Sequence, residues 1–184
     1  MSVNCVVKGT NISLSNGQSV TERLKVIERL KVKESLIAYT IDELPPVQDE
    51  RLLGLNRISN FSGSFSDQEV KNVWKNTKDK HLLINDKLGI TEEHFVFCKS
   101  NEEYFWTRAE NLEVGSELFT INGTFEPINS INIIEGTVDV YNIQVNNVYS
   151  YFANGYLVHN GAPCTACSAC GSQGGGKGKG SGSS

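Results

Sequence analysis

The sequence predicts an all-β domain of a non-barrel, distorted-sandwich kind with short helical turns. Three observations predict it. Short Val-, Ile-, Tyr- and Phe-rich stretches recur at 80–84, 94–98, 118–121, 128–134 and 138–145, which is the spacing of strands rather than of helices. Asn-Gly dipeptides at 16–17, 122–123 and 154–155 lie between such runs, the signature of a type I′ hairpin turn. The chain also repeats itself. Residues 28–37 align with 110–119, sharing Glu, Leu, Val and Leu at matched positions, and 77–83 resemble 137–143 through a shared Thr and Asp. Two halves built to one plan imply internal pseudo-twofold symmetry.

The remaining segments are less regular. A helical pattern is confined to about 21–33, where Glu-Arg-Leu-Lys-Val occurs twice in close succession. The stretch 42–68 carries Pro45-Pro46 and several Ser, Gly and Asp residues with little periodicity, so an irregular loop insertion is expected there. From Gly161 onward no core-forming residue occurs, and 161–184 read as a flexible Cys- and Gly-rich flank. The expected organisation is therefore a leader at 1–4, one domain at 5–160, and this tail. That span suffices for a single well-buried core.

Composition excludes several classes. A formal charge of −4 gives no bulk electrostatic reason to bind nucleic acid. No apolar run approaches the roughly 20 residues of a membrane helix, and Met-Ser-Val-Asn at the start lacks the regions of a signal peptide. Five cysteines, an odd number, argue against a disulfide framework and for a reducing compartment such as the cytoplasm. Nothing points to a cofactor, to a membrane partner or to a state beyond the monomer.

The two ends of the core carry the chemistry. Cys5 comes directly after the short leader and opens an apolar run, Cys5-Val6-Val7, while His159-Asn160 closes the last one, Tyr156-Leu157-Val158. Asn is the residue able to cut its own peptide bond. Its side-chain nitrogen attacks its own backbone carbonyl, closes a succinimide and expels the chain beyond it. Between these ends, Thr91 and His94 lie three apart. Taken singly, His94 reads better as a core histidine bonded to a carbonyl, Cys5 reads equally as a small hydrophobe, and Asn160 reads as a strand-end or turn residue. The set, in this order and with its outer members at the borders of the core, frames a self-cleaving module.

That set resembles the Hint superfamily, which holds inteins, bacterial intein-like domains and Hedgehog autoprocessing domains. The resemblance spans 5–160. Residues 5–17 are similar to the opening block, Thr91-x-x-His94 to the middle block, and 140–155 with Leu157-Val158-His159-Asn160 to the closing blocks. It implies a horseshoe-like, pseudo-twofold all-β domain without an endonuclease insertion, acting on its own flanking chain.

The roles implied by the resemblance are specific. Cys5 would attack the carbonyl of Asn4, converting the Asn4–Cys5 amide to a thioester. His94 would protonate the departing nitrogen and Thr91 would orient the peptide. His159 would assist Asn160 at the junction with Gly161. The chain departs from the splicing pattern at Gly161, where relatives have a nucleophile, at Asn142, where they have Asp, and at Tyr149, where they often have His. These departures favour cleavage at one or both junctions over splicing.

Two further readings belong to other classes. A Hedgehog-like processor would pass the thioester to an outside nucleophile, and His159-Asn160 speaks against it. An inert all-β module would use Cys164, Cys167 and Cys170 for metal. Those three thiols lack a fourth ligand nearby, so no metal is expected there and an exposed flank is favoured. Cys98, beside Phe95 and Phe97, is expected to pack in a strand.

Overall fold

A computed structural model describes residues 5–15 and 24–160. The leader with Asn4, the Asn16-Gly17 turn, and Gly161 with the tail cysteines lie outside the described residues. The described residues form thirteen strands: β1 (Val6–Val7), β2 (Asn11–Ser13), β3 (Leu24–Val26), β4 (Ser35–Ile41), β5 (Gly63–Ile84), β6 (Leu88–Ile90) and β7 (Phe95–Ser100). They continue with β8 (Glu103–Arg108), β9 (Glu117–Phe119), β10 (Phe125–Pro127), β11 (Ile131–Val145), β12 (Ser150–Ala153) and β13 (Tyr156–His159). Three short 3-10 helices, Ile27–Arg29, Glu50–Leu55 and Ala109–Asn111, are the only helix among the described residues.

One sheet runs β11-β1-β6-β5-β4, and because β5 also pairs with β11, four of its strands close a circuit. The other runs β10-β9-β7-β13-β12-β2-β3, with β8 beside β7. All pairings between named strands are antiparallel. β5 and β11 are long arms in register from Ile131↔Ile84 to Val145↔Val70. The expected separate strands at 128–134 and 138–145 are thus one, bent at an irregularity between Glu135 and Val138 where Gly136 takes φ 120°. One buried cluster centres on Val6, Ile90, Val96, Tyr151 and Val158. A second is aromatic and gathers Tyr39, Phe97, Phe119 and Phe152.

The sequence repeat is a structural repeat. In the first half Leu30 N–H donates to the Ile27 carbonyl at 3.1 Å, and Lys33 N–H to the Val70 carbonyl at 2.8 Å. In the second, Leu112 N–H donates to the Ala109 carbonyl at 3.1 Å, and Gly115 N–H to the Ile128 carbonyl at 2.9 Å. The return bonds match too, Val70 N–H to Glu34 at 2.9 Å and Ile128 N–H to Ser116 at 2.8 Å. Both corners need a left-handed residue at one position, filled by Lys33 (φ 77°) in one and Gly115 (φ 101°) in the other. The twofold also relates β2 with β3 to β7 with β8, and it lies where Val6 pairs with Ile90.

Three local expectations are corrected. Residues 24–33 of the expected helix form β3 and one 3-10 turn, because Ile27 N–H is taken by the Thr10 carbonyl at 2.8 Å rather than by a preceding turn. Here tertiary pairing overrides a helical pattern. The insertion is shorter than 42–68, since Gly63 already begins β5 opposite Ile41. Asn122-Gly123 joins β9 to β10, but the turn spans 120–124, closed by Thr120 N–H on the Thr124 carbonyl at 2.8 Å, with Gly123 alone at positive φ. Asn154-Gly155, with φ 48° and 87°, makes the expected tight turn between β12 and β13.

Gly89 fixes how closely β1 approaches β6. A Cβ there would overlap Val7 Cγ2, and Val7 cannot swing away because its β-branched side chain is stiff at χ1. Gly89→Ala is therefore expected to push β1 off β6 and cost about 1–3 kcal/mol. Chemical denaturation should show a lower midpoint with an unchanged slope; an undiminished midpoint would mean that β1 tolerates the shift.

Candidate functional site

Both ends of the described core meet Thr91 and His94 in the interior. Cys5 is 1% exposed, and Thr91, His94 and Asn160 are fully buried. Cys5 lies at the start of β1, so pairing of Val6 with Tyr141 on one side and Ile90 on the other fixes it over the centre of the sheet. Thr91 comes immediately after β6. Its backbone N–H donates to the Cys5 carbonyl at 2.9 Å, while its Oγ1 accepts the Cys5 N–H at 2.9 Å. Oγ1 also lies 3.2 Å from the Cys5 carbonyl oxygen. Thr91 thus holds Cys5 on both sides of its Cα, through the N–H of the Asn4–Cys5 bond and through the carbonyl of the bond that follows.

His94 links the two ends. A tight turn brings His94 N–H to the Thr91 carbonyl at 3.2 Å, setting the ring beside Cys5. Its Nε2 lies 2.6 Å from the His159 carbonyl oxygen, an acceptor only, so Nε2 carries the proton. The neutral ring then presents Nδ1 as a bare lone pair, and among the described residues Nδ1 has no hydrogen-bond partner. Burial pushes the His94 pKa down to about 4, with the His159 and Cys5 backbones pulling the other way. A proton placed on this ring is therefore strongly acidic.

At the other end, β13 is inserted between β12 and β7, and Ser150↔His159 is its last pair. Asn160 is held by its backbone, whose N–H donates to the Tyr149 carbonyl at 2.9 Å. Tyr149 makes this turn at φ 62°, a strained conformation for a large side chain. The His159 ring packs edge-on against Trp106 at 5.5 Å. Its Nδ1 is 2.8 Å from the Asn160 carbonyl oxygen and its Nε2 is 2.7 Å from that of Val47. Burial also drives the His159 pKa down to about 4, the two carbonyls opposing and His94 adding to the fall.

The structure therefore brings together Cys5, Thr91, His94, His159 and Asn160. Asn142 is buried on β11 opposite Trp74. Cys98 packs in β7 as expected, its thiol pushed up to about 12 by burial, and neither it nor Cys5 is in a disulfide. Three groups at the site were not anticipated. Tyr151, fully buried on β12, sets its ring edge-on to His94 at 6.4 Å, and burial with the proximity of Cys5 raises its hydroxyl pKa. Val47 and Glu50 come from the proline-containing loop, whose composition announced only irregular backbone. The buried apolar position of Tyr151 in Tyr-Phe-Ala carried no signal of a polar role.

No protein-family model matches the chain, and no curated protein sequence matches it significantly. Solved structures do. The bacterial intein-like domain from Clostridium thermocellum superposes with a TM-score of 0.62 at 22% identity, covering 86% of this chain and all of that one. The TvoVMA intein gives 0.64 at 16% identity over 85% and 98% of the two chains. The DnaB intein from Synechocystis sp. PCC 6803 gives 0.55 at 15% identity over 86% and 99%. The fold is thus that of inteins and intein-like domains, the Hint fold.

The two buried rings impose a pH dependence on folding. Both have pKa values near 4 in the folded chain against 6.5 as the ordinary value. The unfolded chain therefore takes up protons first as pH falls. Stability is complete above pH 6.5 and is lost as pH drops from 6.5 toward 4, at about 1.4 kcal/mol per pH unit for each ring. An uncleavable Cys5→Ala/Asn160→Ala chain should melt at lower temperature at pH 5 than at pH 7. Adding His94→Gln should remove about half of that slope, and an unaltered slope would show that His94 is not buried neutral.

Proposed function

We propose that this chain is an autocatalytic processing domain that cuts itself at Asn4–Cys5 and at Asn160–Gly161, acting once on its own flanks. The observation that carries this reading is the bridge through His94, which stands beside Cys5 while bonded to the carbonyl preceding Asn160. Each role rests on that geometry. Cys5 Sγ attacks the Asn4 carbonyl carbon and passes its proton to His94 Nδ1. The same imidazolium, made acidic by burial, protonates the Cys5 nitrogen, the C–N bond breaks, and Asn4 is left as a thioester on Cys5, which water or an added thiol then cleaves to free the leader and return the Cys5 thiol. Thr91, accepting the Cys5 N–H at 2.9 Å, keeps that nitrogen oriented while it becomes pyramidal.

At the second junction the side-chain nitrogen of Asn160 attacks its own carbonyl carbon. The carbonyl oxygen gains negative charge as this happens, and His159 Nδ1, 2.8 Å away, is placed to donate to it. The Asn160–Gly161 bond then breaks, the Gly161 nitrogen leaves as an amine, and Asn160 remains as a succinimide. With no side chain on Gly161 to capture the thioester, cleavage outruns ligation.

Mass spectrometry of freshly expressed protein tests both cuts. Cys5→Ala is expected to retain the leader under dithiothreitol while still losing 161–184, and Asn160→Ala to do the reverse. His94→Ala should slow leader release by about 10²–10⁴-fold. Leader release from Cys5→Ala at the parental rate would refute the thioester route.

The balance between cutting and joining has its own test. Gly161→Cys should raise the product in which residues 1–4 are joined to the tail, because a tethered thiol has a far higher effective concentration than water. If Asn142 is the real obstacle, ligation will appear only when Asn142→Asp is added. Absence of ligated mass in both variants would count against close apposition of the two junctions.

A further inference from the structure

His159 faces two acceptors with one proton. A neutral imidazole has a single N–H, yet its Nδ1 and Nε2 each meet a carbonyl oxygen, Asn160 at 2.8 Å and Val47 at 2.7 Å. With the proton on Nε2, Val47 is served and the Asn160 carbonyl confronts a lone pair. With it on Nδ1 the reverse holds. A second proton satisfies both carbonyls at once, but a doubly protonated ring 2% exposed to solvent needs a counter-charge.

The loop at 42–62 supplies one. Glu50 Oε2 lies 4.0 Å from His159 Nδ1, on a side chain only 16% exposed, and the Val47 carbonyl comes from the same loop. The loop closes tightly over the ring, leaving a cavity of about 10 Å³ beside Pro46, Val47, Trp106 and His159, at the limit for one water. The remaining groups facing His159 are the His94 imidazole, which opposes its protonation, and the rings of Trp106 and Tyr149. Among the described residues Glu50 is the one carboxylate within 4 Å of it.

We propose that Glu50 is a positioning residue for release of the chain after Asn160, its carboxylate stabilising the doubly protonated His159 that hands a proton to the departing nitrogen. This rests on the cut at Asn160–Gly161 proposed above. The step balances. The Asn160 side-chain nitrogen bonds to its own carbonyl carbon and sheds one proton, the C–N bond to Gly161 breaks, and the leaving nitrogen takes one proton from His159. The ring, now singly protonated, regains a proton from the one shed by the side-chain amide. Glu50 touches none of the reacting atoms. The loop thus does more than cover the site: through Val47 it fixes the ring plane, and through Glu50 it sets how readily the ring holds its second proton.

Two measurements test this. The first is the rate of loss of 161–184, tracked by mass spectrometry from about pH 3 to pH 8, a range that brackets the His159 pKa of about 4. An opposite charge at this distance moves a pKa by about 1–3 pH units. Glu50→Gln should therefore move the midpoint of the rate profile down by about one pH unit or more and slow release about tenfold at pH 7. The rate should converge on the parent's at the acid end, and Glu50→Asp should restore part of the loss. A Glu50→Gln profile lowered equally at every pH, with its midpoint in place, would mark a merely structural role and overturn the proposal. The second is the His159 titration read by ¹⁵N NMR in the uncleavable Asn160→Ala chain. Glu50→Gln should lower the His159 pKa by a comparable amount, and an unmoved pKa overturns the pairing whether or not the chain cuts. A parent that never sheds its tail overturns the reading of function, and the role of Glu50 with it, while the NMR shift still reports on the pairing.

Discussion

Everything at the site depends on the grip of Thr91 on the Cys5 peptide. One residue takes the N–H with its hydroxyl and the carbonyl with its own backbone N–H. Holding Cys5 on both sides of its Cα stops the nitrogen of the Asn4–Cys5 bond from turning away from a proton donor, and orientation of this kind accounts for a large share of a catalytic site's effect. The grip is available because β1 and β6 run antiparallel at the twofold, so that the residue entering β1 and the residue leaving β6 lie side by side. Gly89 keeps the two strands close enough for this to happen. His94, one turn beyond Thr91, inherits its position from the same pairing.

The duplication explains why a site can exist at that place. Each half ends its opening strand with a tight turn, Val7 to Thr10 in one and Thr91 to His94 in the other, closed by bonds of the same length. The twofold brings these turns together, but their side chains differ. The second half supplies the hydroxyl and the imidazole, and the first supplies the chain end with its thiol. Symmetry of the backbone thus gives proximity, and asymmetry of the side chains gives chemistry. The cost is two imidazoles held without charge in the interior, each depressed by burial, His94 bonded to one carbonyl that selects its tautomer and His159 set between two.

Much of this was legible in the residues. Cys5, Thr91, His94, His159 and Asn160 were identifiable because they carry, in this order, the residue types that the proposed reactions use. The Glu-Leu-Val-Leu repeat was legible because both corners bury one leucine, Leu30 and Leu112, and bend at one position. The segment 24–33 misled because apolar residues every three or four positions suit a corner of this shape as well as a helix. Val47 and Glu50 were hidden for a different reason. Val47 acts through its carbonyl, which every residue possesses, and Glu50 acts across a sequence distance that no local pattern spans. Tyr151 reads as core, and it is core. Only its neighbours, Cys5 and His94, give its hydroxyl a context.

The place of β13 in the sheet has a consequence for when the chemistry begins. This strand, the last of the thirteen described, enters between β7 and β12 rather than at an edge, and it carries His159 and Asn160 with it. Until it is threaded, His94 lacks the carbonyl that fixes its tautomer and the sheet has an open gap at its middle. On the proposed reading Cys5 therefore waits for Asn160, which is made after it. On that reading a nascent chain that carries the thiol and the imidazole stays inert until β13 pairs, since closure of the long-range pairing is slow relative to local structure. Folding is the clock, and the final strand sets it running.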